Sequence, residues 1–153
     1  MRSFRKDAKI GVLVLVIAFA AAQAFRIEKT NPPVHADLST DPGIKLLLKR
    51  ACYNCHSNET VWPWYANVAP VSWLVGSDVV EGRQNVNFSE WGNYASSVQG
   101  DKLKAIKEEM QEGGMPPWYY SIMHRDSRLS PGGRRQIRDW TANALGRVAS
   151  GKE

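Results

Sequence analysis

At 153 residues the chain has room for one small domain and a short leading segment. The formal net charge is +5, of which Arg2, Arg5, Lys6 and Lys9 against Asp7 supply +3, leaving +2 for everything after residue 9. So small a surplus gives no support for nucleic-acid binding, which needs a basic stripe on the folded part, and no nucleic acid is expected as partner. Six tryptophans and five tyrosines are many for this length; large flat side chains suit the wall of a pocket for a large flat ligand as well as a packed core.

Residues 1–25 read as a signal peptide or membrane anchor. Met1 to Lys9 is basic, Ile10 to Ala22 is an unbroken run of apolar residues and glycine, and Ala22-Gln23-Ala24 has the small-x-small form of a signal-peptidase site. The run is short for a spanning helix, which needs about 20 apolar residues. Either the leader is cut near Ala24, or it stays as an anchor with its basic end in the cytoplasm, an outcome slightly favoured here. Both send the rest of the chain to the periplasmic side of a bacterial inner membrane. Residues 26–40 are polar and contain Asn31-Pro32-Pro33, the composition of an extended tether; His35 within it is expected to be solvated.

Asp41-Pro42 opens a domain expected over 41–149, with an N-cap and a first-turn proline. Ile44, Leu47, Leu48 and Ala51 follow at helical spacing, and the helix runs into Cys52-Tyr53-Asn54-Cys55-His56. This is C-x-x-C-H, the attachment signature of a c-type haem. Two thiols three positions apart on one turn can add to the two vinyl groups along one side of a haem, and the next histidine is then held under the iron as proximal ligand. Two other chemistries use such residues. A redox dithiol wants a βαβ context, which is missing. Zinc wants four ligands, usually as two spaced pairs, and the chain has no third cysteine.

Beyond the motif, Trp62-Pro63-Trp64-Tyr65 lies in a proline-bearing aromatic loop. It is expected either to wall the haem, with a proline carbonyl accepting the His56 N–H, or to be pinned by its own aromatics. A helix is expected from Val71 to about Gln84 with Ser72 as cap, and a loop over Asn85–Asn93 with Ser89 as a possible cap. A clearer helix is expected over Asp101–Gln111, with Leu103, Ile106 and Met110 as core and Gly113-Gly114 as its stop. Met115-Pro116-Pro117-Trp118-Tyr119-Tyr120 then presents a methionine from stiff, extended backbone, as a thioether ligand to iron requires. Met115 is the expected sixth ligand; His124, in the loop expected around Met123, is the alternative. Ser130-Pro131 starts a closing amphipathic helix carrying Ile137, Trp140, Thr141, Ala144, Leu145 and Val148 on one face. The last residues are expected to fray.

The order helix, C-x-x-C-H, loops and helices, methionine loop and closing aromatic-bearing helix resembles a class I monohaem cytochrome c over about residues 41–149. More closely, the chain resembles the bacterial haem-binding domain family. Asn58-Glu59-Thr60-Val61-Trp62-Pro63-Trp64-Tyr65 and Met115-Pro116-Pro117-Trp118-Tyr119 match that family's two unusual runs. The resemblance implies an all-α, cytochrome c-like domain around one haem c, attached through Cys52 and Cys55 and ligated by His56 and Met115. It departs from the cytochrome pattern in the long aromatic insertion after His56. Arg83 and Trp91 are nominated as propionate donors. The expected function is a periplasmic one-electron carrier without catalytic residues, served by redox proteins in or at the inner membrane, and bound to that membrane itself if the leader is retained. The alternatives are a peroxidase-like haem enzyme, for which His124 or Glu59 would be the acid–base group, and a haem-based redox or gas sensor module.

Overall fold

The computed structural model describes residues 2–150; Met1 of the basic start and the chain end after Ser150, expected to fray, lie outside them. Every regular element among the described residues is helical. In chain order these are α1 (Arg2–Ala22), α2 (Pro42–Ala51), α3 (Tyr53–His56), α4 (Val71–Asn85), α5 (Ser96–Glu112), α6 (Trp118–Met123) and α7 (Pro131–Ala149). Three 3-10 turns, Trp64–Asn67, Phe88–Asn93 and Arg125–Ser127, lie between them.

The chain forms two compact units, residues 2–29 with 62–78, and residues 30–61 with 79–150. In the first, the aromatic insertion closes on the segment after α1. The Gln23 side-chain amide donates to the Ala69 carbonyl at 3.2 Å and accepts from the Ala69 N–H at 3.0 Å. The Trp73 indole N–H donates to the Phe25 carbonyl at 2.8 Å. Helix α1 is uncharged only from Ile10 onward, and among the described residues no helix is long and apolar enough to cross a membrane. The spanning-anchor form of the leader therefore has no support, because its apolar stretch falls well below the bilayer core.

The second unit carries the core. Helix α2 starts where Asp41 Oδ1 accepts from the backbone N–H groups of Gly43 at 2.8 Å and Ile44 at 3.4 Å, with Pro42 needing no donor satisfied. Helix α7 starts in the same way, Ser130 Oγ accepting from Gly133 at 3.0 Å. Helix α5 packs along α7, and α2 packs on α7 as well. Leu48, Leu103 and Ile137 are shut off from solvent among them. Gly113 ends α5 in the left-handed conformation (φ 82°), open to glycine at no steric cost, and donates to the Glu109 carbonyl.

Four expectations shift. Helix α5 begins at Ser96, before the expected Asp101, and Gly100 lies buried where it comes close to Val148 of α7. Ser72 sits inside α4 rather than capping it. Asn87, not Ser89, caps the turn Phe88–Asn93, leaving Ser89 fully buried with its hydroxyl accepting from the Asn58 N–H. The stretch expected as a tether is docked from residue 30 onward: Ala36 and Leu38 donate to the Ser89 and Phe88 carbonyls at 3.1 and 2.9 Å, and Leu38 enters the core. His35 is exposed, as expected.

Replacing the fully buried Ile137 by alanine should cost about 2–5 kcal/mol, whereas Gly113→Ala, which only strains backbone, should cost about 1 kcal/mol. Denaturant midpoints of the two purified variants check the ranking.

Candidate haem site

The motif sits at a break between two helices. Cys52 ends α2, donating its N–H to the Leu48 carbonyl at 2.8 Å, and α3 then turns Tyr53 to His56 once more. The Cys55 and His56 N–H groups both return to the Cys52 carbonyl, at 3.1 and 2.9 Å. Both sulfurs and the imidazole therefore belong to a single turn of backbone, partly buried.

Helix α4 presses on that turn from the other side. A Cβ at Gly82 would stand 2.5 Å from the Cys55 carbonyl oxygen, so only glycine admits this approach. Just beyond α4, the Val86 carbonyl accepts from His56 Nδ1 at 3.2 Å, with the Gly82 carbonyl a second backbone acceptor at the ring. Nδ1 thus carries the proton and Nε2 keeps its lone pair, the arrangement by which a carbonyl fixes the tautomer of a ligating histidine. Burial lowers the His56 pKa, with the two backbone bonds opposing, and favours the neutral form that binds a metal. The acceptor is not the expected proline. Pro63 and Pro70 give their carbonyls to Ala66 and Trp73, each at 3.0 Å, within their own turns.

Tyr53, inside the motif, is buried and stacks on Phe88 with ring centres 5.1 Å apart and planes within 5°. Phe88 also meets the His56 ring at 6.4 Å, 61° off parallel, and Trp91 at 6.2 Å. The Tyr53 hydroxyl donates to Asp37 Oδ1 at 2.9 Å and accepts from Lys45 at 2.6 Å. Arg83, nominated as a propionate donor, is instead committed to the loop after the motif. It donates to the Ser57 and Thr30 carbonyls at 2.8 and 2.9 Å, to Thr60 Oγ1 at 2.9 Å and to Asn31 Oδ1 at 3.1 Å. Trp91, the other nominee, is a core residue of the Phe88 stack.

Met115 is half-buried against the same core as Cys52. Its carbonyl accepts from Arg134 Nη1 of α7 at 2.7 Å, and the Arg134 charge also works to lower the Cys52 pKa, so both lie in the neighbourhood of this guanidinium. The residues after Met115 are not the expected loop: α6 begins at Trp118, leaving Met115 to Pro117 as the only irregular link between Gly114 and that helix. His124 follows α6, its ring stacked on Tyr120 at 4.2 Å, and Tyr120 accepts from Asn54 of the motif at 2.6 Å. Met115 and His124 are thus both carried by segments that touch the motif's surroundings. Glu59 is exposed and ion-paired with Lys49 at 3.2 Å.

The surroundings of Cys52 argue against a redox pair. Burial, then the neighbouring Cys55, push the Cys52 thiol up to about 12, against a weaker pull from Arg134. A reactive dithiol needs the opposite shift. Nor do three Cys, His, Asp or Glu side chains converge on a point that would hold a metal ion, among the described residues. The set does fit haem: two thiols and one oriented imidazole on one turn, beside a flat aromatic stack. Trp140, in the core that Cys52 and Met115 pack against, buries its indole N–H without an acceptor among the described residues. An unpaired buried donor costs about 1–3 kcal/mol, which a carboxylate of a bound group would relieve, and haem brings two.

An all-helical domain with this motif is the class of a small haem-binding protein. The chain belongs to the haem-binding domain family, whose model matches residues 12–143. No curated protein and no solved structure matches it. Sequence reasoning missed Gly82, Val86, Phe88 and Arg134. Glycine at position 82 in an otherwise helical run was the one available signal.

Two outcomes test the site. Gly82→Ala should push the Cys55 carbonyl away, costing more than about 2 kcal/mol, whereas Gly146→Ala, which meets nothing within 4 Å, should be neutral or stabilise by up to about 1 kcal/mol; thermal unfolding separates them. In the haem-free protein Cys52 should be alkylated at pH 8 more than about a hundredfold more slowly than a free cysteine, because a raised pKa leaves little thiolate, and the rate should climb as pH rises; peptide mapping after iodoacetamide pulses reads it.

Proposed function

We propose that this haem-binding protein carries one c-type haem and moves single electrons on the periplasmic side of a bacterial inner membrane. Cys52 and Cys55 would hold the haem by thioether bonds, and His56 would meet the iron through Nε2. Met115 would take the sixth position, with His124 as the alternative. The observation that carries the proposal is the hydrogen bond from His56 Nδ1 to the Val86 carbonyl, which orients a neutral imidazole within one turn of both thiols. When bound, the haem supplies exchange between ferric and ferrous iron. The chain's own part is to fix the proximal ring, to keep Met115 in a short link anchored by Arg134, and to surround the site with a low-polarity aromatic core.

Methionine opposite histidine raises the reduction potential and fills the position a substrate would need, which supports a carrier over a peroxidase-like enzyme or a gas sensor. The basic start and apolar run of α1 support export through a leader cut near Ala24, since c-type haem is attached on the far side of the inner membrane. A cytochrome c-like arrangement finds support in α2 and α7 packing together beside the motif.

The test is the optical spectrum of protein made with a c-type maturation system. The haem should resist acid-acetone extraction and become extractable in Cys52→Ser/Cys55→Ser. The ferric protein should show the weak far-red sulfur-to-iron band, and Met115→Ala should abolish it and lower the potential by about 100 mV or more. A spectrum unchanged in Met115→Ala would move the sixth ligand to His124 or open the site, and the enzyme and sensor functions would then lead.

A further inference from the structure

The residues that follow Met115 gather positive charge that no ion pair among the described residues takes up. Arg125, Arg128 and Arg135 are exposed, Arg134 is half-buried, and Arg50 reaches the same place from α2. Between Gly113 and Arg138 the only acidic residue is Asp126. None of these five guanidiniums has a carboxylate partner among the described residues; the ion pairs join Lys45 to Asp37, Lys49 to Glu59, Lys104 to Asp101 and Arg138 to Asp139. Three of the five are nevertheless held. Arg50 donates to the Asp126 carbonyl at 2.8 and 3.2 Å, Arg128 to the Ser121 carbonyl at 3.0 Å, and Arg134 to the Met115 carbonyl at 2.7 Å. A carbonyl fixes a guanidinium in place and leaves its full charge and remaining N–H groups facing outward. Beside them α6 exposes Trp118 (73%), Ile122 (55%) and Met123 (56%), the first two on one side of the helix at i, i+4 spacing.

We propose that this face, made of α6, the turn Arg125–Ser127 and the start of α7, docks the carboxylate-rich surface of a partner protein. Exposed tryptophan and methionine ringed by arginine is the composition of an interface centre. Pre-ordered guanidiniums lose little entropy when a carboxylate pairs with them. An anionic lipid surface fits less well: α6 has only six residues, whereas membrane-surface helices present a long apolar stripe. The face also adjoins the site, because it begins at the residue after Pro117 and its Tyr120 touches Asn54 of the motif. The inference thus rests on the carrier proposal for what passes across the contact, though not for the contact itself.

The experiment uses the full haem-loaded protein and a reduced acidic flavodoxin as probe, with stopped-flow reduction and calorimetric binding read side by side. The variant is Arg125→Glu/Arg135→Glu, since neither side chain forms a hydrogen bond or ion pair among the described residues; the control is Lys104→Glu/Lys107→Glu on α5. At about 20 mM ionic strength the variant should lose about tenfold in both rate and affinity and the control less than about twofold, and near 0.5 M the difference should vanish. Equal losses in variant and control overturn the proposal. So does arginine-dependent binding to phosphatidylglycerol vesicles together with salt-independent reaction with flavodoxin. Binding that depends on salt and on these arginines without any electron transfer upholds the docking face and sinks the carrier function.

Discussion

The hydrogen bond from His56 Nδ1 to the Val86 carbonyl ties a four-residue turn to a point thirty positions further along the chain. A turn of that length has no rigidity of its own. It is fixed because α4 lies against it at Gly82, because Tyr53 is stacked on Phe88, and because Arg83 ties the loop after the motif at Ser57 and Thr60. All three constraints come from one short stretch, Gly82 to Phe88. The insertion between motif and α4 can therefore be long without loosening the imidazole, since the geometry is set where the chain returns.

The second constraint is at the opposite end of the domain. Helix α7 supplies Ile137 and Trp140 to the core and Arg134 to the Met115 carbonyl, so the helix that closes the fold also anchors the methionine link. Core packing and the position of the Met115 link are thereby coupled, and a change that tilts α7 would be felt at Met115.

Much of this was legible in the residues. Asp41-Pro42 and Ser130-Pro131 announced two helix starts because capping is a local matter of one side chain and the next two or three N–H groups. Gly113 announced a stop for the same reason. Haem as the cofactor class was legible too, and the family match agrees with it. What stayed hidden was set by distant contacts. Nothing near His56 in sequence points to Val86, and the two prolines that were better placed by sequence spend their carbonyls on their own turns. Arg83 looked like a donor for an anionic group, yet its partners are carbonyls and side-chain oxygens brought in from residues 30–60. Helix α6 was obscured by the prolines before it, which end the preceding backbone pattern but also serve as a starting block for a new turn. Residues 30–40 carry the composition of a linker, and their docking depends on backbone hydrogen bonds that composition does not encode.

The half-buried thiol of Cys52 bears on the order in which such a protein is assembled. Once α2, α3 and α4 have closed, burial raises the pKa of this sulfur, which makes it a poor nucleophile. Under the covalent attachment proposed above, the bonds would best be made on a chain that has not yet folded, with the return of α4 onto the motif as the later step that locks the imidazole in place. Folding would act as a one-way latch on the cofactor, and a chain that closed too early would be trapped empty.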